Sequence, residues 1–306
     1  QSDFRDDPRA FEFVALGSGS IKIDVMDDAQ DTANLQPLIV LSPLDFPFPP
    51  SVLFCEIMKQ NGFRVVYIRR LGFGGTPALP RELLTEANIK NGAALMAEAA
   101  LLLRVITQLN LQHSVLLGIS SANAICYRLC LMHPDIRLTV FSHPIFNQET
   151  IQAIRPHWVQ PMARQIIFTK RGMKLAASGL RYYIKRDPLS FYDQFYSKSS
   201  TDLKYRRENE EDFLAAAKFV NKISAETMFY EVVQTLTNDT FLRDGLFRGT
   251  QALVMAGSET TQRWLRSAES EAQRLSVPFV QGAKGGILAA YSSPEVLLRV
   301  IEEHST

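Results

Sequence analysis

A chain of 306 residues, 46% hydrophobic and 21% charged, is long enough for one α/β core carrying an insertion, and this composition excludes disorder and collagen-like repetition. Lys and Arg total 33 against 32 for Asp and Glu, a net charge of +1, so no basic field draws the chain to nucleic acid or anionic lipid. No apolar run reaches the ~18 residues of a membrane span, and Cys55, Cys126 and Cys130 are spaced for neither a disulfide framework nor a zinc site.

The first stretches, Phe11 to Leu16 and Ile21 to Met26, read as strands around the turn Gly17-Ser18-Gly19-Ser20. A buried strand, Leu38 to Leu41, leads into a loop with Pro43, Pro47, Pro49 and Pro50, and a helix is expected from Ser51 to Gln60. The pattern then predicts a strand Phe63 to Ile68, one long helix from about Glu86 to Leu109, a strand Ser114 to Leu117, a helix Ser121 to His133 and a strand Leu138 to Phe141. From about Pro144 to Gly245 the alternation stops and the chain turns helical, with aromatic and basic residues interleaved. It resumes with the strand Ala252 to Ala256, a helix Thr261 to Leu275, a strand Pro278 to Val280 and a last helix opened by Ser293 and Pro294. Such alternation specifies a parallel sheet with helices on both faces. The expected division is a core of residues 1–145 and 246–306 with a helical insertion at 146–245.

Gly118-Ile119-Ser120-Ser121-Ala122 stands between a buried strand and an amphipathic helix. A strained strand-to-helix turn that exposes a serine hydroxyl needs small residues two before and two after it, and Gly118 and Ala122 meet that need. Read alone, the pentapeptide is equally an ordinary connection with turn-forming residues.

The surrounding segments extend the pattern. Leu41-Ser42-Pro43-Leu44, Gly72-Phe73-Gly74-Gly75-Thr76, His133-Pro134 and Leu253-Val254-Met255-Ala256-Gly257 follow in the order found in the α/β-hydrolase family, which the chain resembles over most of its length. The resemblance implies an eight-stranded, mostly parallel sheet with an inserted helical cap. It places Ser120 at the nucleophile position and the backbone N–H groups of Ser121 and Leu44 at the oxyanion positions, Pro43 having no N–H to give.

Two departures matter more. The family's acid position falls on Thr260, with Glu259 one residue early, and the loop expected to carry the histidine, Gln281 to Ile287, has none. A serine without its base loses on the order of 10⁴ to 10⁶ in rate. His143, at the carboxyl end of the strand after the turn, is the candidate for a relocated base, against the alternative of a loop histidine held by hydrogen bonds. Asp45, Phe46, Glu259, Thr260, Lys284 and Gly285 are expected to line a pocket under the cap.

The leading expectation is a ligand-binding protein on a hydrolase scaffold, acting as the sensing part of a larger regulator and taking an apolar or carbonyl-containing small molecule without cleaving it. The rivals are a serine hydrolase or lyase using Ser120 and His143, and a protein-interaction module. No cofactor or metal is expected, nor a nucleic-acid or membrane partner, and a homodimer is left open. Buried free cysteines fit the cytoplasm. A start at Gln1 reads as a processed form or a fragment.

Overall fold

Runs such as Leu38-Ile39-Val40-Leu41 and Val115-Leu116-Leu117 have no polar face, so they must be covered on both sides, and the sheet they form is wound with helices on each face. The computed structural model describes residues 5, 9–14, 20–28, 34–74, 76–133, 135–146, 156–238 and 241–305. Its strands are β1 (Arg9–Val14), β2 (Ser20–Asp27), β3 (Gln36–Leu41), β4 (Phe63–Ile68), β5 (Val115–Ile119), β6 (Leu138–Ser142), β7 (Ala252–Gly257) and β8 (Phe279–Ala283). They form an 8-stranded sheet in the order β1-β2-β4-β3-β5-β6-β7-β8. The pairs β1/β2 and β2/β4 are antiparallel and all the others are parallel, as expected. The Gly17-Ser18-Gly19 turn, Gly75 and Pro134 lie outside the described residues.

This order fixes where a site can form. From β3 the chain crosses to β4 on one side through α1 (Val52–Gln60); from β5 it crosses to β6 on the other through α4 (Asn123–Met132). Right-handed crossovers in opposite directions put these helices on opposite faces and open a crevice between the carboxyl ends of β3 and β5. Leu41 pairs with Gly118 at that edge, so the loop after β3 and the turn after β5 leave the sheet side by side.

The long helix expected from Glu86 to Leu109 is instead two, α2 (Glu86–Lys90) and α3 (Ala93–Gln108). The break falls at Asn91-Gly92, where Gly92 takes a left-handed φ of 83°, a conformation that ends one helix and precedes the next. Between β6 and β7 lie the inserted helices α5 (Gln160–Ile167), α6 (Lys170–Arg186), α7 (Pro188–Phe195), α8 (Ser200–Glu208), α9 (Glu210–Lys222) and α10 (Ala225–Leu236). The chain closes with α11 (Gln262–Leu275), α12 (Ala289–Ser292) and α13 (Pro294–His304). Cys55, Cys126 and Cys130 are free and buried, and no described helix is long and apolar enough to cross a membrane.

Candidate functional site

Ser120 sits between β5 and α4 with a φ of 48°, a left-handed conformation that costs a non-glycine residue on the order of 1–3 kcal/mol. The strain is held from both sides. Asn123 Nδ2 donates to the Ser120 carbonyl and to the Ser142 carbonyl at 3.0 Å each, tying the turn to β6. A Cβ on Gly118 would lie 2.4 Å from Asn123 Oδ1 and 2.5 Å from Cys126 Sγ, so only glycine fits there. Ala122 is fully buried.

The turn opens into a cavity of about 350 Å³, within the range of small-molecule sites. Leu44, Asp45, Ser120 and Ser121 form its floor, while Ile167, Leu180, Phe191, Val220 and Val232 from the inserted helices close it. Phe191 borders this space rather than filling it, and Trp158 is 76% exposed. Ser120 itself is only 7% exposed, yet its hydroxyl makes no hydrogen bond among the described residues.

The two N–H groups expected to hold an oxyanion are not both free. Leu44 N–H donates to Ser121 Oγ at 3.1 Å, so the side chain of the residue after the serine occupies the direction in which that donor would hold a substrate oxygen. Freeing the donor has a measurable consequence. In Ser121→Ala, a ketone such as 2-decanone is expected to bind about 2- to 10-fold more tightly by calorimetry, the worth of one net hydrogen bond. An unchanged affinity would mean that the Leu44 N–H does not face the ligand.

Of the other residues expected at the pocket, Asp45 alone lines this cavity. Its carboxyl accepts from Tyr196 Oη at 2.8 Å, and burial pushes it up to about 6 against that bond. Phe46 is corrected to the core: it stacks on Phe213 with centroids 4.3 Å apart and is fully buried. Lys284 is exposed and Gly285 packs against the Asp202 carboxyl, and neither borders the Ser120 cavity. His143, Glu259 and Thr260 line a separate space of about 170 Å³. His143 also has positive φ, at 46°. Its ring stacks on Trp264 at 4.0 Å and 11°, its Nδ1 is buried without a partner, and desolvation lowers its pKa to about 4. The expectation that it shares the crevice of Ser120 is therefore corrected, because β6 ends one strand further along and Trp264 holds the ring there. No histidine is hydrogen-bonded to the Ser120 hydroxyl among the described residues.

Beside the position expected for the acid, and in the loop expected to carry the histidine, the chain is fastened to α8. Glu259 Oε2 accepts from Ser199 Oγ at 2.7 Å and from the Thr201 N–H at 2.9 Å, and its Oε1 accepts from Ser200 Oγ at 3.0 Å. Burial opposes its ionisation, but these bonds outweigh it and hold the carboxyl down at about 2. From the same helix, Asp202 Oδ2 accepts the N–H groups of Gly286 at 3.1 Å and Leu288 at 3.2 Å, in the loop expected to carry the histidine. The close fit there needs Gly257, where a Cβ would lie 2.2 Å from the Gly285 carbonyl oxygen.

A second group went unrecognised in the sequence. Arg70 Nη1 donates to Glu231 Oε2 at 2.9 Å and Nη2 to Oε1, while Arg70 Nε stands 3.6 Å from Glu98 Oε1 and Tyr230 Oη donates to Glu98. Arg70, Glu98 and Glu231 are at most 2% exposed, and Glu231 borders the Ser120 cavity. Burial raises both carboxyls against the pull of Arg70. A lone Glu98 in the otherwise apolar run Ala93 to Leu103 is the signal for it.

No protein-family model and no curated protein matches this chain. Among solved structures it is similar to an esterase from Exiguobacterium antarcticum, with a TM-score of 0.61 at 18% identity over 97% of this chain and 99% of the esterase. It is similar also to an epoxide hydrolase from Vigna radiata, at 0.60 and 14% over 97% of each chain, and to an α/β-hydrolase enzyme from a deep-sea metagenome, at 0.57 and 13% over 96% of each.

Proposed function

We propose that this chain, which has the α/β-hydrolase fold, holds a small, mainly apolar molecule in the cavity at Ser120 and does not hydrolyse it, with residues 146–245 serving as the cap. The observation that supports this reading is the bonding of Glu259, one residue before the expected acid position, and of the loop expected to carry the histidine. Glu259 and the Gly286–Leu288 loop are both spent on α8, while the cavity and the strained serine turn remain. A serine hydroxyl without a base is a poor nucleophile at neutral pH. Loss of the base removes about 5 to 8 kcal/mol of transition-state stabilisation. The names of the structural neighbours favour the competing reading, a hydrolase acting through Ser120. Turnover of 4-nitrophenyl butyrate separates the two. The rate should stay within a few-fold of background and change little in Ser120→Ala. A serine-dependent rate more than a hundredfold above background, or labelling of Ser120 by a fluorophosphonate, would establish the hydrolase instead.

A further inference from the structure

The cavity at Ser120 is apolar along its walls and carries ionisable groups of one sign. Asp45 and Glu231 are the ionisable residues that line it; no Lys, Arg or His does so among the described residues. Glu231 is engaged by Arg70, but that guanidinium also faces Glu98, so two carboxyls share one cation behind the cavity wall. Among the described residues the Asp45 carboxyl has one side-chain partner, the neutral hydroxyl of Tyr196, while the Asp45 backbone carbonyl accepts from Tyr192 Oη at 2.7 Å. The floor's other polar side chains are those of Ser121 and of Ser120, which is 7% exposed and whose hydroxyl has no partner among the described residues. The oxyanion donor that would have met a carbonyl or carboxylate is closed off by Ser121 Oγ.

Resting on the ligand-binding reading above, we propose that the molecule held there is an organic ammonium, with its hydrocarbon body among the inserted helices and its cationic head between Asp45 and Ser120. A carboxylate at that place would meet a second carboxylate in a poorly screened space and find no free cation. An ammonium donates to Asp45 and to the Ser120 oxygen and neutralises a partly buried carboxylate. The raised titration of Asp45 is the mark of a carboxyl that lacks such a partner.

The test compares n-octylammonium, 1-octanol and octanoate, matched in chain length, by calorimetry against the full chain at pH 7.5. Octylammonium is expected to bind at least tenfold more tightly than either of the others. Asp45→Asn should remove that preference. Equal or tighter binding of 1-octanol or octanoate would overturn the proposal while leaving the apolar pocket standing, and binding of none of the three would overturn both. Should Asp45→Asn fail to fold, nuclear Overhauser contacts in the unmodified chain decide the matter. Contacts from the methylene beside the nitrogen to the Leu44 amide or the Ser120 Hβ protons support the placement. Contacts to Ile167 and Leu180 methyls alone overturn it.

Discussion

Arg70→Met is expected to destabilise the fold by about 3 to 5 kcal/mol at neutral pH, the cost of leaving buried charges without their counter-ion. The arginine is 1% exposed, and Glu98 and Glu231 are equally buried, so water cannot replace it. The size of the effect should depend on pH with a definite sign. Burial already raises both carboxyls, and removing Arg70 raises them further, so the penalty for ionising them grows as pH climbs above their unfolded value of 4.5. Urea unfolding of Arg70→Met should therefore show a deficit at pH 7.5 that shrinks as the pH falls toward 5. Adding Glu98→Gln and Glu231→Gln to the same chain should recover most of the lost stability, because it removes the orphaned charges. A deficit of the same size at both pH values, or no recovery in the triple variant, would mean that Arg70 acts through packing alone, as in its contact with the Phe73 ring at 5.2 Å.

The contrast between what the sequence revealed and what it hid follows the range of the interactions. The serine turn is local: a buried five-residue strand, Gly118, Ala122 and an apolar helix face all lie within one stretch, so their pattern was readable. The same holds for the sheet, whose apolar runs identify each buried strand. The boundary at Asn91-Gly92 was missed because apolar spacing continues across it, although the Asn-Gly pair itself is a turn signal. Phe46 and Lys284 were misplaced for a different reason: position along the chain says which loop a residue occupies, but not which way its side chain turns. Phe46 turns into the aromatic cluster of Phe213 and Tyr291, and Lys284 turns to solvent. Asp202 lay furthest from reach, since it meets Gly286 across 84 positions of sequence and nothing near it in the chain marks it. Glu259 stands out in the sequence as a carboxylate near the expected acid position, yet its partners, Ser199 to Thr201, come from the stretch between β6 and β7.

Those two carboxylates support the other large effect, expected in Asp202→Ala. The substitution strips the acceptor from two buried N–H groups, those of Gly286 and Leu288, which at about 1–3 kcal/mol each implies a loss on the order of 2–5 kcal/mol. The loss should be local in its first signs: amide exchange should accelerate in α8 and in the 284–288 loop before the β5 and β6 core responds. Glu259→Gln should weaken the same attachment through the N-terminus of α8, where a carboxylate both accepts the Ser199 hydroxyl and Thr201 N–H and opposes the helix dipole. Here the linkage has the opposite sense to that of Arg70→Met. The Glu259 carboxyl is held at about 2, below its unfolded value of 4.5, so its contribution is complete above that value and lost as pH falls toward 2. The stability difference between the unmodified chain and Glu259→Gln should accordingly be largest from pH 5 upward and close as the solution is acidified. Asp202 is raised, chiefly by burial and in part by the Glu259 charge, so Glu259→Gln also relieves Asp202, and that relief offsets part of the gap while Glu259 is ionised. A gap that stays constant down to pH 2 would show that the glutamate holds α8 by shape rather than by charge, and exchange in α8 unaffected by Asp202→Ala would show that the helix is fastened elsewhere.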